Sequence, residues 1–201
     1  MTSWNSYQKT IGKIKVADKL SKTIIKELGD ATEDFFLFDT KIRPQRTRFI
    51  KDKLALLGHN KFKYKVYANG LSSNLTQLNG GTFKNSEWLF DLHWYVEGKN
   101  PYTTTRLPLV MECEWQQKRK GDRKVAFSGI KYDFQKLLVS NAEFRVMIFK
   151  IKNLNDFNFL TEYFEDNISN YKQLLKYSKF LFIAFYDKEK TFYYTEIIKH
   201  K

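Results

Sequence analysis

Hydrophobic and polar positions divide the chain into a series of helices and strands. Over 14–28 the apolar residues Ile14, Leu20, Ile24, Ile25 and Leu28 share one helical face, and the pattern stops at Gly29, which suits a C-terminal cap. Residues 33–40 (EDFFLFDT) read either as a short strand or as the start of an irregular segment. From Arg43, a proline near the start and Gly58 at the end frame a second helix. Residues 61–68 (KFKYKVYA) alternate lysine with aromatic or branched side chains and predict an amphipathic strand. The stretch 71–86 is rich in turn residues and predicts a long loop, of a length usually functional or mobile. Strands follow at about 87–96 and 107–116, joined through 98–106.

After a lysine- and arginine-rich run, residues from 128 predict a helix with Ser128 as N-cap and Ile130, Phe134, Leu137, Leu138 and Asn141 along its stripe. Residues 144–151 (FRVMIFKI) read as a buried strand. Residues 154–177 read as a long helix with Phe157, Leu160, Phe164, Ile168 and Leu175 inward, and 179–187 with 190–198 as a closing hairpin. The core order is helix, three strands, helix, strand, followed by a helix and two strands. This is a mixed α/β domain.

The segment 107–117, LPLVMECEWQQ, carries two carboxylates in a strand pattern. Side chains alternate faces along a strand, so Glu112 and Glu114 share one face while Met111, Cys113 and Trp115 take the other. Two like charges roughly 6–7 Å apart repel, and burying either alone costs several kcal/mol. A divalent cation would turn that repulsion into coordination. The alternative is a solvated face whose glutamates pair with lysines. Asp91, in the middle of the preceding apolar strand, is poorly placed for β-structure. If the two strands pair so that Asp91 and Glu112 share a face, three carboxylates converge.

Composition narrows the classes. At 201 residues, with 42% apolar and 28% charged, the chain is globular and long enough for a real core, and its 18 Phe, 12 Tyr and 4 Trp supply large rings for it. A formal charge of +13 and a pI near 9.6 point to a polyanionic partner, nucleic acid first; a lysine-rich composition inherited from a biased genome is the alternative. The single cysteine, Cys113, excludes an intramolecular disulfide and a multi-thiolate metal site. No apolar run is long enough for a spanning helix or a signal peptide, so the expected location is the cytoplasm. Lys118, Arg119, Lys120, Arg123 and Lys124 crowd around Gly121 directly after the carboxylate strand, where a phosphate backbone approaching a metal would pass. Runs of this kind are also common in solvated hairpins.

Asp91, a gap of twenty residues, then Glu112-Cys113-Glu114 resembles the Asp…(Asp/Glu)-x-Lys signature of the PD-(D/E)xK nuclease superfamily, the restriction-endonuclease-like fold. The element order over 43–151 is similar to the core of that fold, and DFQKLL (133–138) followed by RVMIF (145–149) resembles the helix and fourth strand of a bacterial branch. The resemblance implies one nuclease-like domain: an N-terminal extension over 1–40, a core over 41–151, and a C-terminal helix and hairpin over 152–201. It also implies metal-dependent hydrolysis of phosphodiester bonds, in DNA before RNA, with Asp91 and Glu112 holding Mg²⁺ or Mn²⁺. Glu114 stands where the family usually has lysine, as in some restriction enzymes; alternatively Lys136 in the following helix replaces that lysine, or simply pairs with Asp133. A helical projection sets Lys136 away from the Phe134–Leu138 stripe, so it must reach the site along its stem. The first helix offers only Asp52 as a carboxylate. His93, two residues past Asp91, either touches the site or is packed. Restriction, repair or phage defence are the implied settings, and cutting both strands implies a possible homodimer. A nuclease-fold protein that binds nucleic acid without cutting is the competing reading, and a non-nuclease interaction protein the third.

Overall fold

Strands buried on both faces join in a single mixed sheet with helices against each face. The computed structural model describes residues 2–7, 14–38, 43–78, 83–84, 89–100, 103–122 and 124–200. The strands are β1 (Asn5–Ser6), β2 (Lys65–Ala68), β3 (Phe83–Lys84), β4 (Leu92–Glu97), β5 (Thr104–Glu114), β6 (Phe144–Ile151), β7 (Lys179–Tyr186) and β8 (Thr191–Ile198), arranged β1-β8-β7-β6-β5-β4-β2-β3. β5, β6 and β7 run parallel, β4 is antiparallel to both β2 and β5, and β8 is antiparallel to β7. The helices are α1 (Lys19–Asp30), α2 (Thr32–Leu37), α3 (Arg43–Leu56), α4 (Ser73–Leu78), α5 (Ser128–Val139) and α6 (Asp156–Asn170).

Strand alternation sorts the core into two layers. Val146 and Ile148 of β6 face Ile24, Ile25, Ile50 and Leu54 of α1 and α3. Met147 and Phe149 face Ile130, Phe134, Leu160 and Phe164 of α5 and α6. Covering both faces is what makes the central strands read as continuous apolar runs. No described helix is long and apolar enough to cross a membrane.

The C-terminal strands keep their expected places, but several other elements differ. Within the 33–40 segment, residues 33–37 are helical in α2 and 39–40 lie outside the described residues; Phe35 stacks on Phe185 of β7 (centroids 4.0 Å apart), and one helical turn is what brings that ring inward. Only 65–68 of the expected 61–68 strand pairs with the sheet, since α3 runs on into a π-helical turn, Leu57–Lys61. The indole of Trp94 lies against Gly58 and donates from Nε1 to the Leu54 carbonyl (3.1 Å), so Gly58 sits inside the widened turn and does not end a helix. The 71–86 loop contains α4 and the two-residue β3, with 79–82 and 85–86 outside the described residues. α6 ends at Asn170, leaving Leu175 71% exposed. Gly29 falls within the last turn of α1, one residue before its end.

α5 is held by both its ends. At its C-terminus the buried Arg145 donates to the carbonyls of Leu137 (3.0 Å) and Ser140 (2.7 Å), while its guanidinium lies over Phe180. Burial lowers the Arg145 pKa to about 10, which leaves it charged at neutral pH. At the N-terminus Ser128 does not cap as expected. Phe127 takes the capping position in the left-handed region (φ 57), and the Ser128 hydroxyl instead accepts from the Arg119 amide (2.9 Å) and donates to the Asp122 carbonyl (3.3 Å).

Gly58→Ala tests the Trp94 contact. At a solvated helix position the change gains up to about 1 kcal/mol, but here the new Cβ would lie 2.4 Å from Trp94 Nε1. Overpacking is expected to win, with a net loss of roughly 1–3 kcal/mol in the urea unfolding free energy.

Candidate active site

The pairing of β4 with β5 positions the carboxylates. Leu92 stands opposite Met111, so Asp91, one residue earlier, comes opposite Glu112. Asp91 occupies a bend at the mouth of β4, not the middle of a strand as expected, and 85–88 lie outside the described residues. Its Oδ2 accepts the Cys113 amide at 2.9 Å. Glu112 shares the parity of Val110, which points it toward α5, and it is only 2% exposed. Lys136, two residues past Phe134 on α5, reaches Asp133 Oδ1 at 3.3 Å, the expected helical pairing, and also Glu112 Oε1 at 2.7 Å.

Burial sets the electrostatics. It pushes the Glu112 carboxyl up to about 9, with the nearby Asp91 charge adding to the rise and Lys136 opposing it. Burial also raises Asp91, against the pull of Lys51 and the Cys113 amide. Glu114, half-buried, is raised by burial, with Asp133 and Asp91 adding to the rise, while the Gln116 amide it accepts at Oε1 (2.6 Å) holds it down. Asp133 therefore belongs to the cluster as a fourth carboxylate, beyond its helical pairing with Lys136. His93 does not face the site as a ligand would: it is fully buried and its ring stacks on Tyr67, with centroids 5.0 Å apart.

Glu114 lies where β5 meets the start of α5. A Cβ on Gly129 would come 3.1 Å from its Oε2 and 2.4 Å from the Gln116 carbonyl, so glycine permits this approach. Between them runs the basic turn. Lys118, Arg119, Lys120 and Lys124 are exposed, Arg123 lies outside the described residues, and the Arg119 guanidinium sits 3.6 Å from the centre of the Tyr132 ring.

On the other side of Glu114 a groove opens between α3 and the end of β5, with Arg48, Lys51, Asn69, Gly70, Glu114 and Gln116 among its walls. α3 grips the chain after β2 there. Arg48 Nε donates to the Gly70 carbonyl (3.0 Å), Lys51 Nζ to Asn69 Oδ1 (2.5 Å), and Asp52 accepts the Ser72 amide (3.1 Å) and hydroxyl (2.5 Å). Asp52 is thus tied to Ser72. Lys51, 5% exposed, had a legible signal: it sits at helical spacing with the buried Ile50, Leu54 and Ala55, inside an apolar stripe.

No three or more described His, Cys, Asp and Glu side chains form a group that would hold a metal ion by themselves. The donor set nevertheless suits Mg²⁺, which is bound through one or two carboxylates and completes its octahedron with waters and substrate phosphates. Among the described residues, Asp91 Oδ1 and Glu112 Oε2 accept no hydrogen bond, leaving one hard oxygen on each carboxylate. The chain matches no protein-family model, no curated protein and no solved structure.

Glu112 gives a signed pH dependence. Between its ordinary value of 4.5 and about 9 the folded chain holds a proton that the unfolded chain has released, so stability falls as pH rises through that window. Glu112→Gln removes the dependence, and Lys136 keeps Asp133 as a partner. In EDTA at about pH 8 the variant is expected to melt roughly 2–8 °C above wild type, the equivalent of about 1–2 kcal/mol. The margin should narrow toward pH 5 in a thermal-melt series.

Proposed function

We propose that the chain is a metal-dependent nuclease of the restriction-endonuclease-like class that hydrolyses phosphodiester bonds in DNA. The observation that carries this reading is the half-buried Asp91 beside the buried Glu112, with Lys136 paired to Glu112, at the junction of antiparallel and parallel strands. A strand pair held only for stability gains nothing from two facing, desolvated carboxylates. The order α3, β2, β4, β5, α5, β6, with β2, β4 and β5 antiparallel and β6 parallel to β5, supports the fold class; α4 and β3 are inserted between β2 and β4. The exposed lysines and arginine of the basic turn supply sequence-independent affinity for the phosphate backbone.

In this reading Asp91 and Glu112 hold Mg²⁺, or Mn²⁺, which supplies Lewis-acid polarisation of the phosphate and a more acidic water. Lys136 orients Glu112 and offsets its charge. Glu114, whose proton affinity burial raises, would act as general base for the attacking water. The second reading, a nuclease-fold protein that binds without cutting, is favoured by one observation: Lys136 already occupies Glu112 Oε1.

Incubation of supercoiled plasmid and single-stranded DNA with Mg²⁺, Mn²⁺ or EDTA separates the two. Cutting is expected with either metal and not with EDTA. Glu112→Ala and Asp91→Ala should each lower the rate at least about 100-fold, the loss of several kcal/mol of stabilisation at the phosphate. Cutting that survives both substitutions would defeat this assignment, and retention on a gel without cutting would establish the binding-only reading.

A further inference from the structure

We propose that Lys51 is a catalytic residue of this site: its ammonium binds the scissile phosphate of a strand lying in the groove between α3 and the end of β5. This inference rests on the nuclease reading and identifies the cation that the motif lacks where Glu114 replaces lysine. The argument begins from a count of charges. Four carboxylates (Asp91, Glu112, Glu114 and Asp133) act on one another here, and Lys136 is already shared between Glu112 and Asp133. Lys51 differs, because its hydrogen bond goes to the neutral side-chain oxygen of Asn69. Its charge also acts on Asp91, which places it within electrostatic reach of the carboxylate pair.

Position agrees with this charge. Lys51 and Glu114 belong to the walls of the same groove, and Arg48 beside them is likewise bound to a neutral acceptor, the Gly70 carbonyl. A phosphate strand in the groove would meet two cations that, among the described residues, are hydrogen-bonded to neutral acceptors, with Glu114 on the same wall. The plainer role for Lys51 is to fasten the chain after β2 to α3. Energetics disfavour that role alone. Lysines are rarely held at 5% exposure, because burying their charge is costly, and a single charge-assisted hydrogen bond to an amide returns only about 1.5–3 kcal/mol. Arg48 and Asp52 already fasten the same segment.

The step balances without a further reactant. The oxygen of water bonds to phosphorus as the bond to the leaving sugar oxygen breaks. Glu114 takes the water's proton, and the leaving oxygen is protonated from solvent. The Lys51 ammonium neutralises the charge that develops on the phosphate oxygens.

The test is steady-state cleavage of a labelled duplex oligonucleotide with Mg²⁺ by wild type, Lys51→Met, Lys51→Arg and Asn69→Ala, with a thermal melt of each. Lys51→Met is expected to lower kcat about 100-fold or more, with KM changed only a few-fold and Tm equal to or above wild type. Lys51→Arg should recover part of the loss. Asn69→Ala, which removes the hydrogen bond and leaves the charge, should lose far less than Lys51→Met. If Lys51→Met cuts within a few-fold of wild type, or Asn69→Ala is equally damaging, the inference is overturned. Should Lys51→Met fold poorly, Lys51→Gln reads the same loss.

A wild type that never cuts sinks the nuclease reading separately. Binding to the same duplex in EDTA then decides the remainder. Lys51→Met should reduce the slope of log affinity against log salt by about one phosphate contact. Equal slopes, or no binding by either protein, would overturn the inference as well.

Discussion

Two carboxylates facing each other across β4 and β5 are the constraint on which the neighbouring structure depends. Asp91 and Glu112 are brought together by backbone register, and a one-residue slip would move Trp94 or Met111 out of its own core layer into the one on the opposite face. The fold therefore holds an electrostatically unfavourable pair in place with its most favourable interaction, apolar burial. Other features around the pair moderate that cost. The Cys113 amide binds Asp91, Lys136 binds Glu112, and Lys51 acts on Asp91 from the opposite side of the sheet.

Helix α5 is where one of the two core layers and the site meet. Its apolar stripe locks it onto β6 and β7, Arg145 ties down its C-terminal carbonyls, and Gly129 lets its first turn approach Glu114. With the helix held at both ends, the long stem of Lys136 has little freedom in where its ammonium falls. The basic turn is in turn anchored to the start of this helix by Ser128 and by the stacking of Arg119 on Tyr132. Displacement of α5 would therefore reach the carboxylates, the lysine and the cationic turn together.

What the sequence disclosed follows the strength of local pattern. The 144–151 strand and the 179–198 hairpin were legible because burial on both faces leaves long apolar runs that only a central strand explains. The helix over 32–37 was not, since a four-residue apolar run suits either structure and the deciding contact, Phe35 on Phe185, is 150 residues away. Trp94 similarly reshaped the end of α3 from a distant strand. At the site, alternation gave the shared face of Glu112 and Glu114, and strand order gave Asp91 its partner. Lys136 was legible only as a motif position, because helical projection alone turns it aside. Lys51 was hidden by the general rule that lysines occupy the solvated face, although its spacing with Ile50, Leu54 and Ala55 contradicted that rule.

In the proposed nuclease, the partly exposed Lys136 and the buried Lys51 divide a task that the resemblance assigns to one motif lysine. Lys136 approaches from α5 and is consumed by carboxylates, so its contribution is to hold Glu112 in place and to make its burial tolerable. Lys51 approaches from α3, on the far side of the sheet, and reaches the same end of β5 with a neutral partner. In that proposal Glu114, at the third motif position, would add negative charge where the phosphate arrives, and the compensating cation would come from an element outside the strand. Helix α3 supplies it at the groove wall, beside Arg48, where a nucleic-acid strand can contact Lys51 without displacing Lys136 from Glu112.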